Sequence, residues 1–100
     1  FEDNTIQPFV EIGNNCILWS GNHIGHHSIV NDNVFISSHV VISGHCKIGE
    51  YSFLGVNSTL RDSISIARDT VLGAGCLIVK NTVENKTYIG TKATPFPSRS

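Results

Sequence analysis

An aliphatic side chain recurs at every sixth position of this chain without a break. The series runs Ile6, Ile12, Leu18, Ile24, Val30, Ile36, Ile42, Ile48, Leu54, Leu60, Ile66, Leu72, Ile78. The position four residues further on is small or β-branched: Val10, Cys16, Ser28, Val34, Val40, Cys46, Ser52, Ser58, Ile64, Thr70, Cys76 and Thr82, with Asn22 the one amide in that series. Gly follows the aliphatic residue at 13, 25, 49, 55 and 73. A period of six fits neither the 3.6 of a helix nor the two of a long strand, so helix is excluded until about residue 80. It fits a coil of short strands, with one aliphatic residue per hexad pointing inward and a corner where Gly or Asn eases a tight turn. Three hexads make one triangular coil, and coils stack at ~4.8 Å, the ordinary interstrand spacing. Ile6, Ile24, Ile42, Leu60 and Ile78 then form one inward ladder. The expectation is an all-β chain in which residues 1–83 form a parallel β-helix of about four coils. The period fails at Glu84, and residues 84–100 read as a capping turn, a final strand and a tail.

Composition narrows the partners. The chain has 100 residues, enough for one domain with a modest core. Seven Lys+Arg stand against eight Asp+Glu, so neither nucleic acid nor an anionic membrane is expected as a partner. The longest apolar run falls far short of the ~20 residues that a membrane span needs. Residue 1 is Phe and there is no methionine, which reads as a piece of a longer or processed polypeptide. Cys16, Cys46 and Cys76 all occupy small-residue slots, as free structural thiols in a reducing cytoplasm would.

A hexad of this kind, running from about Asn4 to Thr82 with a looser tail to Pro95, resembles the hexapeptide-repeat acyltransferase superfamily. That resemblance implies a left-handed coil, where the usual crossover preference is right-handed. The segment Gly21-Asn22-His23-Ile24-Gly25-His26-His27-Ser28 resembles the active-site coil of sugar O- and N-acetyltransferases, sialic acid O-acetyltransferases and UDP-4-amino-sugar N-acetyltransferases among them. The intervals to Cys46-Lys47-Ile48-Gly49 put the catalytic histidine of those enzymes at His26. Gly25 and His27 replace the acidic residues that flank it there, and the family's closing Gly-Asn-Pro-Ala pattern is here Gly90-Thr91-Lys92-Ala93.

All five histidines lie between positions 23 and 45. At an 18-residue coil His27 stacks on His45, His39 stacks on Asn57, and His26 shares a column with Gly44, Asp62 and Lys80. What the resemblance implies is acetyl transfer from acetyl-CoA to an amine or hydroxyl of a sugar or nucleotide-linked sugar. A neutral imidazole at His26 serves as general base, and the backbone N–H of Gly44 stabilises the oxyanion. His27, His39, His45 and Asn57 are candidate substrate contacts. The resemblance also implies a homotrimer with CoA in the groove between two subunits. Gly44, Asp62 and Lys80 would line one side, and Ser38, Val56 and Ala74 of the neighbouring subunit the other. Lys86, Lys92 and Arg99 are further candidates for the CoA phosphates, and no metal is expected. Trp19 and Phe35 fall outside the inward ladder and suit an interface.

Two other readings stay open. The segment from His39 to His45 is similar to a γ-class carbonic anhydrase zinc site, another trimeric β-helix. Its two histidines are spaced by six where five is expected, and no histidine stands two coils earlier for the third ligand. A non-catalytic trimeric β-helix is the other reading, although five histidines around two coils exceed what a purely structural module needs.

Overall fold

In the computed structural model, residues 3–90 are described. They form fourteen two-residue strands and, among the described residues, no helix. Three parallel sheets make the faces of a left-handed triangular prism. Sheet A holds β1 (Thr5–Ile6), β4 (His23–Ile24), β7 (Val41–Ile42), β10 (Thr59–Leu60) and β13 (Leu77–Ile78). Sheet B holds β2 (Glu11–Ile12), β5 (Ile29–Val30), β8 (Lys47–Ile48) and β11 (Ser65–Ile66). Sheet C holds β3 (Ile17–Leu18), β6 (Phe35–Ile36), β9 (Phe53–Leu54), β12 (Val71–Leu72) and β14 (Thr87–Tyr88). The register follows the hexads: Ile6 pairs with Ile24, Ile24 with Ile42, and Leu60 with Ile78.

Two inward positions per side build the core. Ile24, Ile36, Ile42, Ile48, Leu54, Leu60 and Leu72 are fully buried. The small slots beside them fill the taper toward each corner, and their serines donate to corner carbonyls. Ser28, Ser52 and Ser58 donate to the carbonyls of Ser43, Ala67 and Gly73 at 3.0, 3.1 and 3.2 Å. The Cys46 thiol does the same toward Arg61 at 3.1 Å. All three cysteines are free. Burial pushes the Cys46 and Cys76 thiols above their ordinary range, and the Asp62 carboxylate adds to that for Cys46.

The corners depart from the sequence expectation in one respect. The glycines that follow the aliphatic residue do not supply the left-handed turn. At Gly25 a Cβ would lie 2.6 Å from the Gly44 nitrogen, so close approach of two coils is what demands glycine there. The left-handed residue stands two positions later, and twelve such positions among the described residues are not glycine. They include His27, His39 and His45 at φ of 60, 58 and 58°. Asn, Asp and His are the side chains most enriched in that conformation, which is one reason for histidine at these corners.

After β13 the regular coil ends. Over sheet B, side chains stand in for a strand: Ser65 N–H donates to Asn81 Oδ1 and Ala67 N–H to Thr82 Oγ1, both at 2.8 Å. The chain then returns as β14, pairing Val71 with Thr87 in sheet C. Among the described residues no helix is long and apolar enough to cross a membrane.

Candidate active site

Sheet A connects two corners, and four of the five histidines divide between them. At the corner that follows sheet A, His26 and His27 lie one coil from His45. The His27 and His45 rings are parallel, 6° apart with centroids separated by 5.0 Å, and Phe9 continues the stack beneath His27 at 4.9 Å. His26 stands edge-on to both at 89°, and its Nδ1 is 3.1 Å from His27 Nδ1. The backbone holds these rings in place. His27 N–H donates to the Pro8 carbonyl at 3.2 Å, His45 N–H to the His26 carbonyl at 2.9 Å, and His26 N–H to Gln7 Oε1 at 3.0 Å. All three histidines are exposed.

The His26 ring covers Gly44, which is buried. A methyl group on Gly44 would lie 3.0 Å from both Cε1 and Nε2 of that ring. The Gly44 amide already has an acceptor, Asp62 Oδ1 at 3.1 Å. The expected oxyanion donor is therefore engaged by the next residue of its own column, and the Asp62 carboxylate must turn aside before that N–H can serve another oxygen. Lys80 is exposed and follows β13 in the same column.

The remaining candidates lie elsewhere. His39 and Asn57 occupy the corner that precedes sheet A, where the His39 ring covers Gly21. Ser38, Val56 and Ala74 line that same corner. Val56 and Ala74 are exposed, and Ser38 Oγ accepts from Ser20 N–H at 3.4 Å. Within one chain these residues stand across sheet A from His26, so a groove formed by both columns needs a second copy. His23 lies on β4 between the two corners. Lys86 is exposed near β14; Lys92 and Arg99 lie outside the described residues. Gln7 and Phe9 contact the histidine corner without having been singled out from the sequence. Phe9 stands one coil before His27, so the column spacing carried its signal. Gln7 contributes a side chain to a backbone group, which no periodicity encodes.

Residues 9–44 match the family model described as bacterial transferase hexapeptide (six repeats). The chain is 32% identical over 73 residues to an acyl-[acyl-carrier-protein]–UDP-N-acetylglucosamine O-acyltransferase of Burkholderia orbicola, covering 73% of this chain and 28% of that protein. It is 32% identical over 73 residues to a probable mitochondrial UDP-3-O-acylglucosamine N-acyltransferase of Arabidopsis thaliana, covering 73% of this chain and 24% of that one. The chain thus spans about a quarter of the curated relatives it matches. Among solved structures, PerB from Caulobacter crescentus in complex with CoA and GDP-perosamine superposes with a TM-score of 0.68 at 24% identity, covering 87% of this chain and 51% of that one. The acetyltransferase domain of PglB from Neisseria gonorrhoeae gives 0.73 at 24%, covering 94% and 55%. A serine acetyltransferase from Entamoeba histolytica gives 0.82 at 19%, covering 96% and 38%. The hexads are unbroken from Ile6 to Ile78, residues 9–44 carry the bacterial transferase hexapeptide repeat, and the coil they build is similar to that of the hexapeptide-repeat acyltransferases.

Proposed function

We propose that this chain is the β-helical acyl-transfer unit of an acetyltransferase that uses acetyl-CoA to modify an amine or hydroxyl of a nucleotide-linked sugar, with His26 as general base.

 The observation that carries this reading is the contact between His26 Nδ1 and His27 Nδ1, at 3.1 Å, with the other edge of the His26 ring over Gly44. When His26 Nδ1 donates its proton to His27, the lone pair of His26 lies on Nε2, the atom beside the Gly44 backbone. His27 then does the orienting that a carboxylate does in the enzymes this coil resembles. In the reaction, Nε2 takes the proton of the acceptor amine or hydroxyl as that group attacks the thioester carbonyl. The Gly44 N–H, released by Asp62, steadies the oxyanion. Collapse breaks the carbon–sulfur bond, and the imidazolium returns its proton to the departing thiolate. No acyl-enzyme forms, in keeping with the buried, protonated thiols of Cys46 and Cys76.

Acetyl-CoA would lie along Gly44, Asp62 and Lys80 of one subunit, facing Ser38, Val56 and Ala74 of the next in a homotrimer. The outward apolar residues Trp19, Phe35 and Phe53 support such an assembly. Trp19 is 49% exposed and Phe53 40%, and Phe35 lies between them with centroid separations of 6.1 and 5.1 Å. His39 and Asn57, at the corner of Ser38, would meet the substrate across that interface, and His45 would meet it beside His27. PerB, crystallised with CoA and GDP-perosamine, supports the nucleotide-sugar class of acceptor.

A second donor follows from the curated relatives, whose names specify an acyl group carried on acyl carrier protein. One assay tests both donors: thiol release from acetyl-CoA and from acyl carrier protein, with a panel of nucleotide amino sugars. Turnover with acetyl-CoA is expected, and His26→Ala should lower it by about 10²–10⁴-fold, the range of a lost general base. Full activity in His26→Ala would remove the base from this reading, and transfer from acyl carrier protein alone would replace its donor.

A further inference from the structure

We propose that His26, His27 and His45 form a binding site for a late first-row divalent cation, zinc above all. The three side chains offer ring nitrogens that all lie within 4.8 Å of one another. His26 Nδ1 and His27 Nδ1, at 3.1 Å, are already near the ~3.3 Å that separates two nitrogens bound to one tetrahedral zinc at ~2.0 Å. Imidazole is a borderline ligand suited to zinc, copper and nickel rather than to magnesium or calcium. All three rings are exposed, so an ion reaches them directly and can keep water in its fourth position.

The backbone prepares the site. His27 and His45 are held at left-handed corner positions by amide bonds to the Pro8 and His26 carbonyls. Little chain entropy is therefore lost when the rings turn toward a common point. Phe9, stacked on His27, limits that turning on one side. The set differs from the carbonic anhydrase pattern weighed from the sequence: that comparison used His39 and His45, and His39 belongs to the other corner.

Binding itself is independent of the acyl-transfer reading; its consequence for turnover rests on that reading. A cation on His26 Nδ1 leaves the ring proton on Nε2, which removes the lone pair the base needs. Bound zinc would thus hold the enzyme inactive, and a chelator would restore it.

Cobalt titration of the purified protein, followed by visible absorption and calorimetry, tests the site without any turnover. One Co²⁺ per chain with the strong absorption of a four-coordinate site is expected, displaced by Zn²⁺. His27→Asn and His45→Asn, chosen because Asn tolerates a positive φ, should each weaken binding by at least ~10²-fold. His23→Asn and Cys16→Ser should leave it unchanged. Zinc-dependent shifts in the imidazole nitrogen resonances of the unmutated protein, confined to His26, His27 and His45, give the same answer should a variant misfold. Absence of saturable binding, shifts at His23 or His39 instead, or undiminished affinity in both Asn variants would overturn the site. A protein that binds Co²⁺ but transfers no acyl group would keep this site and lose the acyl-transfer reading.

Discussion

His26 and Gly44 leave no space between them for a methyl group. At 3.0 Å from Cε1 and Nε2, an added Cβ would push the imidazole by a few tenths of an ångström. The backbone at Gly44 is not in the left-handed region, so the substitution tests contact rather than backbone strain. Gly44→Ala is expected to lower kcat about tenfold, since small displacements of a reacting group are costly, and to leave the thermal midpoint nearly unchanged. Thiol-release kinetics beside a melting curve would check this. Unaltered kcat would mean that the ring position over Gly44 does not matter to the chemistry.

Each strand from β1 to β13 contributes one inward aliphatic residue, and stability at this scale is the packing of those residues between coils. Leu54 is fully buried on β9, between Ile36 and Leu72 of the adjacent coils. Leu54→Ala should cost about 2–5 kcal/mol, the lost transfer energy plus a cavity that flanking coils cannot close. The exposed Arg61→Ala should stay within about 0.5 kcal/mol. Urea unfolding of the two variants gives the comparison, and equal midpoints would contradict a core carried by the hexad ladder. The same burial bears on pH. The Cys46 and Cys76 thiols are raised above the ordinary value of 9.0, so the folded chain retains protons there that the unfolded chain releases. Stability from this source is complete below pH 9.0 and declines above it. Urea midpoints measured on either side of that pH should fall on the alkaline side, and a smaller fall is expected in Cys46→Ala.

The two columns proposed to hold CoA, Gly44, Asp62 and Lys80 beside His26 and Ser38, Val56 and Ala74 of a neighbour, stand at different corners of the prism. Assembly is therefore part of the proposed function rather than an addition to it. Phe35→Glu puts a charge into the outward stack of Trp19, Phe35 and Phe53 and should convert a trimer to monomers, with loss of CoA binding. Light scattering coupled to size exclusion measures the first effect and calorimetry the second. A wild-type monomer that binds CoA would overturn the shared groove.

Ile6 to Ile78 made the coil legible from the sequence, because the same local rule repeats thirteen times and each repeat buries the same kind of side chain. An 18-residue column is then arithmetic, and it stacks His27 on His45. What the period does not carry is anything that depends on contacts made once. The edge-on approach of His26 to His27, the Asp62 carboxylate on the Gly44 amide, and the return of β14 after sixteen residues rather than eighteen are all of that kind. Backbone pairing between coils is set by hydrogen bonds common to every hexad, so the sequence by itself determined the ladder. Ring orientations and borrowed side-chain partners are set by neighbours a coil away, whose identities vary, and only the tertiary structure decided them.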